Sequence, residues 1–401
     1  MGISDRKLNR PARRSGPTAL LTEQRHNRPY HFRALAASCA LLLFAGCATP
    51  PKPAKPAVPA APTATSPASA PTPPASVDSA PSPQPLAQFP DPNKLARKPD
   101  EIVVAGQFFP TGTRVVTWMD AGGYNAYAPR PGVPPAAVKF PDHYGARRYP
   151  TTKPNEKEKP FGRTGDSARD LADLRENVDQ FVLHYDECGL SRVCFKVLHV
   201  ERGLSIHFML DIDGTIYQTL DLRERAFHAT TSNSRSIGIE IANIGAHPPG
   251  SPAALKRFPL WYPRDAKGRT VLRPVGTDPG LYVKDYAGRP ARDKPVTGTI
   301  QNRPLQQYDL TPEQYAALTK LTAALARIFP AIKLDYPRDA AGKVITQKLP
   351  DEVLVNYRGV IGHFHIQANK LDPGPAMDWD RVINGARALN APPAPKPAEK
   401  K

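Results

Sequence analysis

SIHFMLDIDGTIYQTL, residues 205–220, reads as two strands folded back on each other at Asp213-Gly214. Asp-Gly between alternating apolar positions is a strong hairpin signal, because both central residues of such a turn adopt positive φ. Upstream, VDQFVLHY (178–185) is a continuous apolar run that predicts a buried strand ending near His184. Downstream, SIGIEIAN (236–243) alternates as a strand should, and VNYRGVIGHFHI (355–366) predicts another. TPEQYAALTKLTAALARIF (311–329) is the clearest helix. Thr311 suits the N-cap, Pro312 the first helical position, and Gln314 completes a capping box. Strands with interspersed helices predict an α/β fold, a central mixed β-sheet flanked by helices.

Residues 245–308 separate the fourth strand from the long helix and read as a long insertion. A short pattern recurs there and beyond: YPRDAKGR (262–269), YVKDYAGR (282–289) and YPRDAAGK (336–343). Asp-x-x-Gly suits a tight turn, so these predict basic-tipped hairpins, with solvated turns the plainer reading and a grip on anionic polymer the sharper one. Ahead of the strand set, EIVVAGQFF (101–109) and TRVVTW (113–118) predict a hairpin turning at Pro110-Thr111-Gly112. Residues 128–165, rich in Pro, Lys and Arg, read as a wrapping loop.

The N-terminus reads as an address. Arg25, Arg28 and Arg33 precede the apolar run ALAASCALLLFAG (34–46), which is too short to span a bilayer comfortably. Small residues directly before Cys47 resemble a lipoprotein signal, which implies lipidation of Cys47; Ala48 after it implies the outer membrane. Phe44 departs from the Leu more usual in such signals. Residues 48–90 contain 14 prolines and almost no large apolar residue, so they cannot bury a core. Extended at about 3.1 Å per residue, this tether reaches roughly 130 Å. Of the formal charge of +17, residues 1–47 contribute eight basic and two acidic residues, so most of the surplus stays with the remainder. That favours an anionic partner, and no basic stripe interleaved with aromatics points to nucleic acid.

Five of the ten histidines fall in the strand set: His184, His207, His228, His363 and His365. A single strand histidine is more often structural. His184 and His363 each end an apolar strand, and nine residues after His363 comes Asp372, within Lys370-Leu371-Asp372-Pro373-Gly374. Asp-Pro-Gly is a rigid turn that can present a carboxylate at a fixed angle. Two imidazoles and one carboxylate, with a fourth position left for water, make an ordinary catalytic zinc site holding one ion. His207, alternating with Phe208, reads as structural. His365 shares a face with His363 if the strand continues, which would make it a partner of the ligand.

FVLHYD, SIHFMLDIDGTIYQTLDLRERAFHA, SNSRSIGIEIAN and GHFHIQANKLDPGPAMDW occur in an order that resembles the type-2 N-acetylmuramoyl-L-alanine amidase family. That family shares its fold with animal peptidoglycan recognition proteins and phage lysozyme-like amidases. The resemblance covers about residues 178–385, interrupted by the insertion. It implies that His184, His363 and Asp372 hold zinc, that Glu240 is the catalytic carboxylate, and that Lys370 stabilises the transition state. It also implies substrate contacts from His228 and Asn233, and a disulfide between Cys188 and Cys194. Ile206 stands where some members have a catalytic tyrosine, so a tyrosine-assisted mechanism is not expected.

These readings predict residues 1–47 as a lipoprotein signal, 48–90 as a disordered tether, 91–165 as an extension wrapping the catalytic domain, 166–390 as the amidase domain and 391–401 as a disordered tail. The expected function is zinc-dependent hydrolysis of the amide between N-acetylmuramic acid and L-alanine, by a monomer lipid-anchored to the outer membrane and facing the periplasm. Its partners would be peptidoglycan or muropeptides, without nucleic acid. The alternative is a module that binds peptidoglycan without cutting it; zinc-free relatives of that kind generally lose a metal ligand, and this sequence retains all three.

Overall fold

The strand that ends in the first histidine of interest is buried along its whole length, Gln180–Tyr185. It lies inside a six-stranded sheet. The computed structural model of the chain describes residues 97–128, 149–150, 160–161, 164–275 and 279–392, all within the larger of two compact units, Lys52–Lys401. The expected signal with Cys47, the tether, most of the wrapping loop and all but the start of the tail lie outside the described residues.

In chain order the strands are β1 (Glu101–Val104), β2 (Gln107–Pro110), β3 (Val115–Thr117), β4 (Tyr149–Pro150), β5 (Pro160–Phe161), β6 (Gln180–Tyr185), β7 (Phe208–Leu210), β8 (Ile216–Gln218), β9 (Ser236–Ile241), β10 (Val296–Ile300), β11 (Arg303–Gln307) and β12 (Gly359–Gly362). The helices are α1 (Ser167–Asn177), α2 (Ser191–Phe195), α3 (Pro252–Trp261), α4 (Pro312–Ile328), α5 (Asp351–Leu354), α6 (His363–Ile366) and α7 (Trp379–Asn390). A π-helical stretch, Lys196–Arg202, continues α2. The large sheet has the order β12-β6-β9-β7-β8-β3. Its first four strands are parallel; β8 runs against β7, and β3 runs alongside β8. The sheet is therefore mixed, as the sequence predicts.

Alternation along the strands divides the two faces. Phe181, Leu183 and Tyr185 of β6 join Ile237, Ile239 and Ile241 of β9 in the main core, under α4 and α7. The opposite face of the same strands carries Val182 and His184, Gly238 and Glu240. Helix α4 has the full capping box: the Thr311 hydroxyl accepts from Gln314 N, and Gln314 Oε1 accepts from Thr311 N. The hairpin turns at Asp213-Gly214 as expected, but Gly214 alone takes positive φ, at +79, and Asp213 does not.

Three expectations need correction. The first hairpin turns at Ala105-Gly106, not at 110–112, and β3 leaves it to become the edge of the large sheet. Both turn residues have positive φ, and their N–H groups donate to the Asp221 carboxylate at 2.7 Å each. Alanine is a poor candidate for that conformation, so the turn is set by a residue 116 positions away. The strand read over 355–366 stops at Gly362, and His363 opens the helical turn α6. Of the three recurring turns, two form alike: Asp265 and Asp339 each accept two backbone N–H groups, and Arg264 and Arg338 bridge to Thr270 and Val344. The segment 282–289 does not; its Arg289 instead donates to Asp265 at 2.8 Å.

Candidate metal centre and active site

Strands β6, β9 and β12 run parallel, so their C-terminal ends share one edge, where open α/β sheets place their ligands. The register pairs His184 with Glu240 and Leu183 with Gly362, which puts His363 immediately beyond, next to His184. Residues paired across parallel strands point to the same face, so one row of the sheet delivers two imidazoles and a carboxylate to one place.

Asp372 joins them from its loop. Its Oδ2 stands 2.7 Å from His184 Nδ1 and 3.0 Å from His363 Nδ1. All three residues are buried, and their ligand atoms lie within 4.8 Å of one another. Burial and the neighbouring His363 ring hold the His184 imidazole down to about 4. Burial opposes ionisation of Asp372, but the two imidazoles outweigh it and hold the carboxyl well below its usual range. A neutral imidazole and an ionised carboxylate are the states a metal requires. The remaining ring nitrogens are also engaged: His363 Nε2 meets Gln367 Oε1 at 2.6 Å, and His184 Nε2 meets His228 Nδ1 at 3.0 Å. Outer partners of this kind fix the ring orientation of metal-ligating histidines. The donor set fits a divalent metal such as zinc.

Residues 174–260 match the profile of the N-acetylmuramoyl-L-alanine amidase family (Amidase 2). The matched segment contains His184 and Glu240 and ends before His363, Lys370 and Asp372. Solved structures similar to the chain include a selenomethionine derivative of AmpD, at 19% identity over 53% of this chain and 86% of that one, with a TM-score of 0.26. E. coli AmiD, in complex with the substrate anhydro-N-acetylmuramic acid-L-Ala-D-gamma-Glu-L-Lys, is 16% identical over 52% of this chain and 57% of its own, with a TM-score of 0.29. LysC of Clostridium intestinale URNW is 14% identical over 55% and 89%, with a TM-score of 0.25. This chain thus spans just over half the length of the AmiD chain. No curated protein sequence matches it.

Glu240 is half-buried near the end of β9. Burial, with the Asp372 and Asp186 carboxylates nearby, pushes its carboxyl well above the usual range, while Lys370 and Arg202 pull the other way. Lys370 acts on His184 as well, which places its charge near that imidazole.

His228 and Asn233, to which the resemblance assigns substrate contacts, also make contacts within the protein. His228 packs edge-on against the His184 ring and reaches Ser236 Oγ at 3.3 Å with its other nitrogen. Gly238 makes room for it: a Cβ there would stand 2.5 Å from the His228 ring. Asn233 Oδ1 accepts from the backbone N–H groups of His228 and Ala229, at 3.0 and 2.6 Å, and so fixes that segment. His207 is structural as expected, bridging Glu224 O and Gly238 N. His365 does not share a face with His363. It accepts from Gly362 N at 3.0 Å and meets Ile345 O at 2.6 Å, tying the ligand strand to the third recurring turn. Cys188 and Cys194 are buried with their thiols in side-chain contact, without the disulfide the resemblance implies.

Residues without a motif complete the site. Gln367 is one. Two others come from the insertion: Gln307 donates to Pro373 O and accepts from Ala376 N, pinning the Asp372 loop, and Gln301 donates to Phe364 O at 2.7 Å, holding α6. A lone glutamine carries no spacing signal; only the folded contacts reveal them.

Proposed function

We propose that the protein is a zinc-dependent N-acetylmuramoyl-L-alanine amidase that hydrolyses the amide between N-acetylmuramic acid and L-alanine in peptidoglycan or muropeptides. The observation that carries this reading is the convergence of His184 Nδ1, His363 Nδ1 and Asp372 Oδ2, with Glu240 in the same row of the sheet. His184, His363 and Asp372 would hold the zinc, which supplies Lewis acidity, polarising the scissile carbonyl and acidifying water. Glu240 accepts the proton of the attacking water and delivers it to the departing amine of L-alanine. Lys370 faces the negative charge that develops on the carbonyl oxygen. A binding module needs neither Glu240 nor Lys370 beside a complete ligand set.

The zinc-loaded protein should release stem peptides from sacculi, detected by mass spectrometry. Glu240→Gln should lower that release at least about a hundredfold while zinc content stays unchanged. Wild type that binds sacculi and releases nothing would establish the binding reading instead.

We place the enzyme on the periplasmic face of the outer membrane, as a lipidated monomer. The support is sequence alone: the basic and apolar run before Cys47, Ala48 after it, and the proline-rich tether. Cells given labelled palmitate should label the wild-type protein and not Cys47→Ala; equal labelling of both would refute the anchor.

A further inference from the structure

Helix α3, within the insertion, is apolar on both sides. Ala254, Phe258 and Trp261 face inward and pack with Ile212, Ala242 and Ile244. Pro252, Leu255, Lys256, Pro259 and Leu260 are spaced by three and four residues, so they share the opposite side of the helix, and all five are exposed. Leu255 is 68% exposed and Leu260 55%. A surface helix ordinarily turns polar residues outward, and an apolar stripe there marks a contact surface.

Unpaired cations flank that stripe, and α3 itself contains no acidic residue. The chain leaves the helix through the first recurring turn and returns to it: Val271 N donates to Pro263 O at 2.9 Å, and Arg273 N to Trp261 O at 2.8 Å. Lys256 on the stripe, Lys267 at the tip of the turn and Arg273 beside the helix end are all exposed. Among the described residues their side chains form no hydrogen bond or ion pair. The acids at this turn are already occupied: Asp265 pairs with Arg269 and Arg289, and Asp293 with Arg264. Over residues 245–308 eleven Lys/Arg stand against four Asp, a surplus of +7.

We propose that the outer face of α3, with Lys256, Lys267 and Arg273, docks the protein on an anionic phospholipid bilayer. The exposed leucines and prolines enter the boundary between headgroups and acyl chains, and the cations meet the lipid phosphates. No helix among the described residues is long and apolar enough to cross a membrane, so the contact is with its surface. A hydrated anionic polymer would answer the cations and leave the leucines in water. A second copy would bring its own positive surplus to a chain that already carries +17. Arg257 of α3 donates to Glu187 O, two residues past the end of β6, so docking holds the sheet edge of His184 beside the bilayer. The docking does not depend on the amidase reading.

The test reads amide hydrogen exchange of residues 252–273 by mass spectrometry on the full chain. The chain is mixed with vesicles of phosphatidylethanolamine and phosphatidylglycerol, or of phosphatidylcholine alone. The apolar run 34–46 meets both lipids, so the difference between them isolates α3 and its turn. Exchange there should slow about fivefold or more on the phosphatidylglycerol vesicles and keep the lipid-free rate on phosphatidylcholine. Leu255→Asp with Leu260→Asp should remove the slowing, as should Lys256→Glu with Lys267→Glu and Arg273→Glu. All five positions are exposed, and unchanged exchange in α4 of each variant shows that the fold is kept. Wild type that exchanges equally with and without phosphatidylglycerol would overturn the proposal, as would slowing that survives both sets of substitutions. Slowing that follows protein concentration without lipid would give the face to a second copy. Slowing on purified peptidoglycan and not on lipid would give it to the wall, and either result overturns the bilayer.

Discussion

Asp372 has one oxygen within reach of two imidazoles, and each imidazole passes the constraint outward through its second nitrogen. His184 leans on His228, and His363 leans on Gln367. Motif spacing picked out His184, His363 and Asp372 because a histidine at a strand end and an Asp-Pro-Gly turn are local features. It did not identify Gln367 or the contact of His228 with His184, because those contacts form only when the rings are in place. Gln367→Ala should therefore lower zinc affinity ten- to a hundredfold with little change in fold. Competition with a chromophoric chelator measures this, and an unchanged affinity would show that the His363 ring is fixed by packing alone. Gly238 belongs to the same account, since its missing side chain leaves the space that His228 fills.

At the level of elements, β6, β9 and β12 align their ends, and the hairpin of β10 and β11 secures what they deliver. That hairpin lies inside the stretch that reads as an insertion, yet its Gln307 bonds to both sides of the ligand loop, at Pro373 O and Ala376 N. A third contact, to Asn243 Oδ1 at 3.2 Å, ties the same side chain to the exit of β9. Gln307→Ala leaves these buried groups without a partner, so it should destabilise the protein by about 1–3 kcal/mol. It should also weaken zinc binding, because the Asp372 loop loses its anchor. Urea unfolding with and without zinc separates the two effects; a variant with lower stability but unaltered zinc affinity would show that the loop holds its shape without the insertion. The recurring turns show the same dependence on context. Two of the three fold alike from one pattern, while the third is recruited to pair Arg289 with Asp265.

Across the whole molecule, the face of the sheet opposite the helices carries buried carboxylates, and this sets how stability responds to pH. Asp211 is fully buried, and burial pushes its carboxyl up to about 8 against the hydrogen bond from Ile212 N. Its Oδ2 has no hydrogen-bond partner. The folded protein keeps a proton there that the unfolded chain sheds near pH 4, so stability should fall as pH rises from about 4 to about 8. Asp211→Asn keeps the acceptor oxygen and removes the ionisation. It should flatten that slope and exceed wild type by at least about 1 kcal/mol at pH 8, read by urea unfolding at several pH values. An identical slope in both proteins would exclude Asp211 as the source. At this scale the sequence by itself determined the strand and helix set, the capping box of α4, the Asp213-Gly214 turn and the ligand types at His184, His363 and Asp372. Each of these is written in periodicity or turn chemistry within a dozen residues. The tertiary structure alone decided the Ala105-Gly106 turn, the end of β12 at Gly362, the ring nitrogens that face Asp372, and the grip of the insertion on the site. Those features depend on groups such as Asp221, His228 and Gln307, whose partners lie tens of residues away and meet only when the sheet is assembled.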